Sequence, residues 1–276
     1  MRLHVAVGHG APGWFHDEVH LPDAFAAHGI EATPLHWRDI PADGSPVLIR
    51  TAWDYSQDRD GFLAWLDALE DAGSQVVNDP ATMRWNLDKR YMLELEAAGH
   101  AIVPTKVVDT LGDVVGHWDE AVAKPVVGGG AEGLHLVDGE DVCLVPVPGN
   151  RWGEARATGP WLVQPRLDMT GGEWSLFYFG GAYSHAVLKR PKAGDLRVQE
   201  EHGGTTQALM PPAEARRAAD GLVAAHPCVQ ARVDGVMVDG AWRLMELELI
   251  EPELYFRCAP GSEARFAAAV AAALRA

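Results

Sequence analysis

What this chain lacks narrows its chemistry before any motif is read. Its 276 residues contain no Gly-x-x-x-x-Gly-Lys-Ser/Thr, so a P-loop is excluded as a phosphate cradle. His-Glu-x-x-His, Cys-x-x-Cys and Gly-x-Ser-x-Gly are also missing, which leaves zinc and serine-hydrolase chemistry without a foothold. The three cysteines, Cys143, Cys228 and Cys258, are far apart and odd in number, so a reduced, cytoplasmic protein is expected rather than a disulfide framework. Basic residues are scarce, 23 against 39 acidic, and the resulting net charge of -16 repels nucleic-acid phosphates. No apolar run approaches the ~18 to 20 residues that cross a bilayer, so no membrane partner is expected. The first residues, Met1 to Val7, are too short a stretch, broken by His4, to read as a signal peptide.

What is present suits a folded enzyme-sized protein. Hydrophobic residues make up 47%, enough for a sizeable core in one large or two to three smaller domains. The first third alternates strand and helix signals: strands at 3–7, 47–49 and 75–78, and helices near 21–28 and 62–72. Such alternation predicts a small parallel α/β unit. A single helix over 84–98, ended by Gly99, and a strand around 102–105 come next. Antiparallel signals then take over, with strands at 121–127 and 134–137. Two hairpins follow, 174–179 with 182–189 around Gly180-Gly181, and 232–238 with 242–250 around Asp239-Gly240. The charged stretch 190–206 reads as a mobile loop, and the Ala-rich run 266–274 as a terminal helix.

The last β-ribbon carries the strongest chemical signal. Arg232-Val233-Asp234 falls on one strand and Met245-Glu246-Leu247-Glu248 on its partner. Residues i and i+2 share a face, so Glu246 and Glu248 point the same way, amid apolar Leu244, Leu247, Leu249 and Ile250. Two carboxylates ~4 Å apart repel by roughly 4 kcal/mol at an effective dielectric of about 20. A hard divalent cation relieves that repulsion with oxygen ligands of this kind; a solvated acidic edge strand is the plain alternative. Register bears on the choice. A two-residue turn at Asp239-Gly240 pairs Val238 with Ala241 and sends Asp234 to the face opposite Glu246. A three-residue loop with a glycine bulge pairs Asp234 with Glu246 and Arg232 with Glu248, and is the arrangement predicted.

Two further segments bear on phosphate and base binding. Lys124-Pro125-Val126-Val127-Gly128-Gly129-Gly130-Ala131-Glu132-Gly133 joins a strand lysine to a glycine-rich turn whose N–H groups can approach phosphate, although a plain hairpin has the same composition. Lys89 would be a second phosphate-facing cation, or else a surface lysine. Trp161 to Asp168, followed by Gly171-Gly172-Glu173, is either an ordinary strand and loop or an extended linker able to hold adenine through its backbone.

In this order the segments resemble the ATP-grasp superfamily over nearly the whole chain. The resemblance implies an α/β fold, α+β in its C-terminal part: an N-terminal parallel α/β domain (1–82), and central (83–160) and C-terminal (161–276) α+β subdomains clasping ATP. It implies that Asp88-Lys89 and Lys124-Pro125 supply the nucleotide-binding lysines, Gly128, Gly129 and Gly130 cover the phosphates, Val163-Gln164 lines adenine, and Glu173 holds the ribose. Asp234, Glu246 and Glu248 look like the metal-binding hairpin of D-alanine–D-alanine ligases and bacterial glutathione synthetases, with Glu248 where those enzymes usually carry Asn. Arg84-Trp85-Asn86-Leu87-Asp88-Lys89-Arg90-Tyr91 and Lys189-Arg190-Pro191-Lys192-Ala193-Gly194-Asp195 are similar to the group around the D-cycloserine-forming cyclo-ligase, which closes O-ureido-D-serine with ATP.

An ADP-forming carboxylate–amine ligase is therefore expected, using ATP and Mg²⁺, with Mn²⁺ as a substitute, and passing through an acyl phosphate on a small amino-acid-like substrate. Arg232 and Arg197 would stabilise the transferring phosphoryl group. Arg50, a fork-shaped donor in Ile49-Arg50-Thr51-Ala52-Trp53-Asp54-Tyr55, is the candidate for the substrate carboxylate, against a structural salt bridge; Asp54 is the candidate for its amine. The partner is a small molecule, and a homodimer is compatible with the sequence. A dipeptide ligase, a small-molecule kinase on the same scaffold and an ATP-sensing scaffold are the competing readings.

Overall fold

The computed structural model describes residues 1–9, 13–130, 133–145, 159–195, 197–198 and 200–276. It opens with β1 (Arg2–Val7), α1 (Leu21–Ala26), β2 (Glu31–His36), β3 (Val47–Ile49), α2 (Arg59–Asp71) and β4 (Val76–Val77). The four strands form a parallel sheet in the order β2-β1-β3-β4. Leu3, Val5, Ala6 and Val7 of β1 are all buried, as a strand covered on both faces requires. On α2 the buried side chains are Phe62, Trp65, Leu66 and Leu69, one helical stripe, and Asp58 caps its start by accepting from the Gly61 N–H at 3.1 Å. The strand β2 was not anticipated because Pro34 interrupts it; the proline is tolerated because β2 is the outer strand of the sheet.

The single helix expected over 84–98 is two, α3 (Pro80–Asn86) and α4 (Tyr91–Ala97). Between them the Asp88 carboxylate accepts from the Arg90 N–H at 3.0 Å, and the Lys89 N–H donates to the Val126 carbonyl at 2.7 Å. Local side-chain capture of a backbone N–H competes with helix and breaks it here. The strand expected at 102–105 reduces to one bridge, Ile102 to Leu244. The central sheet comprises β5 (Lys106–Val108), β6 (Glu120–Pro125), β7 (His135–Asp138), β8 (Asp141–Leu144) and β9 (Trp161–Pro165), in the order β5-β9-β6-β7-β8 and antiparallel throughout. Residues 161–165, expected to open the C-terminal subdomain, thus pair inside the central one.

The third sheet contains β10 (Glu173–Phe179), β11 (Ala182–Arg190), β12 (Thr205–Ala208), β13 (Gln230–Val238) and β14 (Ala241–Glu248), with α5 (Ala213–Ala225) against it and α6 (Ser262–Ala273) at the end of the chain. Within 190–206, read as an irregular loop, there is a short 3-10 turn at Glu200–His202 and the start of β12. Helix α6 returns to the first unit: Leu3 and Phe25 share a core with Phe177, Phe266 and Val270. The central sheet has its own small core of Val114, Ala121, Ala123, Val137, Trp161 and Val163. First unit and third sheet are thus one packed body, and the central sheet is attached to it. Among the described residues no helix is long and apolar enough to cross a membrane.

Candidate active site

A cleft of about 890 Å³ opens between the central sheet, the third sheet and the loops that follow β1 and β3. Asp234, Glu246 and Glu248 all line it, as do Lys89, Lys124, Gly128, Gly129, Gly130, Gln164, Glu173, Arg197 and Arg232. Arg50 and Asp54 do not.

The acidic ribbon pairs as expected, by a different route. Asp234 lies opposite Glu246 and Arg232 opposite Glu248, yet Val238 pairs with Ala241, so the turn has two residues, not three. Asp239 (φ 51°) and Gly240 (φ 79°) both adopt the left-handed conformation of a tight hairpin turn. The compensating extra residue is Met245, in a bulge between Asp234 and Gly235. Gly235 permits it: a Cβ there would meet the Trp242 ring at 2.4 Å. The bulge therefore sits beside the carboxylates and turns them to one side.

Each of these carboxylates has cations for neighbours. Arg232 reaches Asp234 at 2.9 Å and also bonds Glu248, and the Ser175 hydroxyl donates to Asp234. Lys89 and Lys124 converge on Glu246, at 3.2 and 3.5 Å. Burial opposes ionisation of Glu246, but the two ammonium groups outweigh it and hold the carboxyl down to about 2. Burial pushes Glu248 the other way, to about 8, and the nearby Asp234 and Glu246 add to it against the pull of Arg232. A set of oxygen-only donors crowded enough to raise one of their number suits a hard divalent cation.

The lysine positions follow from local structure. Lys89 enters the cleft because the helix breaks around it, and its ammonium also donates to the Gly128 carbonyl. Lys124 is on β6, one residue before the strand ends, directly ahead of the glycine turn. Ala131 and Glu132 of that turn lie outside the described residues. Gln164 is buried in β9 opposite Val122 of β6, and its amide donates to Thr105 Oγ1 at 3.0 Å. Glu173 begins β10 opposite Lys189 and is ion-paired to it. Arg197 is tied to Asp195 at 2.7 Å.

Arg50 and Asp54 have other work. The Arg50 side chain is 0% exposed, bonding Glu18 at 2.6 Å, Gln230 at 2.7 Å and the Pro252 carbonyl at 2.9 Å. The salt-bridge alternative for Arg50 is thus the one the structure contains. Asp54 accepts from the Trp37 indole at 3.0 Å, the His9 N–H at 3.2 Å and the His36 ring at 2.9 Å. His9, His36 and Asp54 cluster closely enough to suggest a metal site. However, the other His36 ring nitrogen accepts from the Arg38 N–H, so Nε2 carries the proton it gives to Asp54 and has no lone pair for a cation. This cluster ties together the ends of β1, β2 and β3.

Among the cleft residues given no role in the sequence are Lys189, Glu251, Glu253, Tyr255 and Arg257. Lys189 reaches Asp234 at 3.8 Å; burial would lower its ammonium, but Asp234 and Glu173 together raise it above its ordinary value. A lysine inside an otherwise apolar strand run, Ala186-Val187-Leu188-Lys189, was the available signal.

Known proteins share this architecture. A sequence profile described as the N-terminal domain of the D-cycloserine synthetase DcsG matches residues 4–78. The cycloserine biosynthesis protein DcsG of Streptomyces lavendulae is 28% identical over 286 residues, covering 94% of this chain and 94% of that protein. The crystal structure of D-cycloserine synthetase DcsG aligns with a TM-score of 0.83 at 26% identity, over 99% of this chain and 100% of that one. D-alanine–D-alanine ligase from Bacillus anthracis aligns with a TM-score of 0.68 at 16% identity, over 100% and 98%, a likeness of fold alone.

Proposed function

We propose that this ATP-grasp ligase, an enzyme forming C–N bonds, activates the carboxylate of a small amino-acid-like substrate as an acyl phosphate and releases ADP and phosphate. The reading extends to an intramolecular closure like that of the cycloserine-forming relatives, in which the attacking nitrogen belongs to the same molecule. One observation carries it: Asp234, Glu246 and Glu248 face the cleft from one ribbon while Lys89 and Lys124 reach Glu246 from two other elements.

The residues divide the work. Lys89 and Lys124 exchange Glu246 for nucleotide phosphates, which frees that carboxylate as a ligand. Asp234, Glu246 and Glu248 would hold Mg²⁺, or Mn²⁺ in its place, which supplies charge neutralisation at the phosphates. The glycines 128–130 bring backbone N–H groups close to the nucleotide, and the Val163-Gln164 backbone lines adenine. Glu173, neutralised by Lys189 in this structure, is the carboxylate for the ribose. Arg232, braced by Asp234 and Glu248, keeps its guanidinium where a phosphoryl group in transfer and the later tetrahedral oxyanion need a donor. Arg197 adds a second guanidinium from the β11–β12 segment.

An ADP-release screen across D-amino acids and their ureido and hydroxamate derivatives tests this directly. Mg²⁺-dependent ADP release with at least one of them is expected, with a condensed product that mass spectrometry finds lighter than its reactants by one water, the oxygen having left in phosphate. Phosphorylated substrate as the end product would instead make the enzyme a kinase.

A further inference from the structure

We propose that Glu251 is the receptor for the amino group of the amino-acid-like substrate, docking its ammonium beside Phe15, Trp53 and Tyr55, which line the same end of the cleft. This rests on the ligase reading above for the identity of the cleft, and names the chemistry of its unassigned end.

Glu251 differs from every other acid in the cleft. Glu173, Glu200, Asp234, Glu246, Glu248 and Glu253 each lie within 4.0 Å of a lysine or arginine nitrogen. Among the described residues Glu251 has no such partner; its carboxyl interacts with the Tyr55 hydroxyl. Burial lifts it to about 7 even though Tyr55 and the more distant Lys89 work to lower it. A half-buried carboxyl that lines a cavity, with a neutral hydroxyl rather than a counter-ion beside it, suits a cationic group that arrives with the ligand.

The backbone that carries it is fixed on both sides. The Gln230 amide donates to the Ile250 carbonyl at 2.6 Å, the Trp53 indole to the Glu251 carbonyl at 3.2 Å, and Arg50 to the Pro252 carbonyl at 2.9 Å. A receptor held by buried supports loses little entropy on binding. Arg50 and the segment after β3, from which substrate contacts were expected, thus act through the element they pin. Four residues beyond Glu253, Arg257 divides its guanidinium among Glu253 at 2.8 Å, Glu200 at 3.0 Å and Asp17 at 3.3 Å. Asp17 is occupied by the N–H groups of Phe256 and Arg257, whereas Glu200 is on the surface and can yield its place to a second anionic group of the ligand.

The test uses two probes that differ only by an amine, D-alanine and propionate, titrated into the full chain with Mg²⁺ and ADP and followed by tryptophan fluorescence. The wild type should prefer D-alanine by roughly tenfold, the scale of one charge-assisted contact. Glu251→Gln should level the two while ADP affinity stays within about twofold, and Glu251→Asp should recover part of the preference. Retained discrimination in Glu251→Gln, or none in the wild type, overturns the assignment. Amine-selective binding without ADP release in any screen removes the ligase reading and leaves the receptor standing; ADP release with an unchanged Glu251→Gln removes only the receptor.

Discussion

Two arginines on this scaffold, Arg50 and Arg232, are alike in their pairing and differ in what they can do. Each pairs with a carboxylate, at 2.6 Å to Glu18 and 2.9 Å to Asp234. Around Arg50 the remaining donors are spent on Gln230 and the Pro252 carbonyl, no water reaches the group, and its partners come from positions 32, 180 and 202 residues away. That pair joins the first unit to the third sheet. Arg232 instead lines the cleft, and its partner Asp234 has an alternative cation within reach, Lys189 at 3.8 Å. Charge that is satisfied and sealed supports a fold; charge that is satisfied only provisionally, and faces a cavity, is available for exchange with a ligand.

Opposite outcomes are expected for single substitutions in the two regions. In the cleft, Glu246→Gln removes the charge that both lysines share and one oxygen ligand, and should cut ADP release by at least about a thousandfold while the near-UV circular dichroism is unchanged. Appreciable turnover in that variant would break the metal assignment. In the strut, Arg50→Ala leaves Glu18 buried without its partner and should destabilise by about 3–5 kcal/mol, measured by urea unfolding. Burial already raises the Glu18 carboxyl despite the arginine. The pair Glu18→Gln with Arg50→Met should regain part of that loss, because no uncompensated charge is left behind. Wild-type stability of Arg50→Ala, with a large rise in KM, would return Arg50 to the substrate.

How much of this was legible in the residues themselves varies for physical reasons. That one irregularity must bring Asp234 opposite Glu246 followed from strand alternation and the shortness of the ribbon, because both are local. The site of the irregularity did not, since Asp239-Gly240 completes a turn unaided and the extra residue moved to Met245. Gly235, a glycine inside an apolar strand, was the available sign of a bulge. Lys89 was found by motif, but helical periodicity running through 84–98 hid the break that exposes it. The fate of Arg50 was closed to inspection, since Glu18 and Gln230 meet it only once the third sheet has docked. Glu251, one residue before a proline and past the end of β14, reads as a strand terminus until its lack of a counter-ion is seen in three dimensions.

The smallest effect sharpens the sealed side of the comparison. His185 is buried on β11, with Nε2 donating to the Leu254 carbonyl at 2.9 Å and the Phe177 ring stacked on it at 4.4 Å. Burial depresses it to about 4, from an ordinary 6.5, so the folded protein keeps this ring neutral where the unfolded chain protonates it. The sign follows from that difference: the contribution is fully present above pH 6.5 and is lost as the pH falls from there through 4. The loss is at most roughly 3 kcal/mol. Thermal unfolding of the wild type between pH 7 and pH 4 should therefore fall more steeply than that of His185→Gln, which keeps a donor for Leu254 and has no proton to gain. Parallel curves would mean that water reaches the ring in the folded protein.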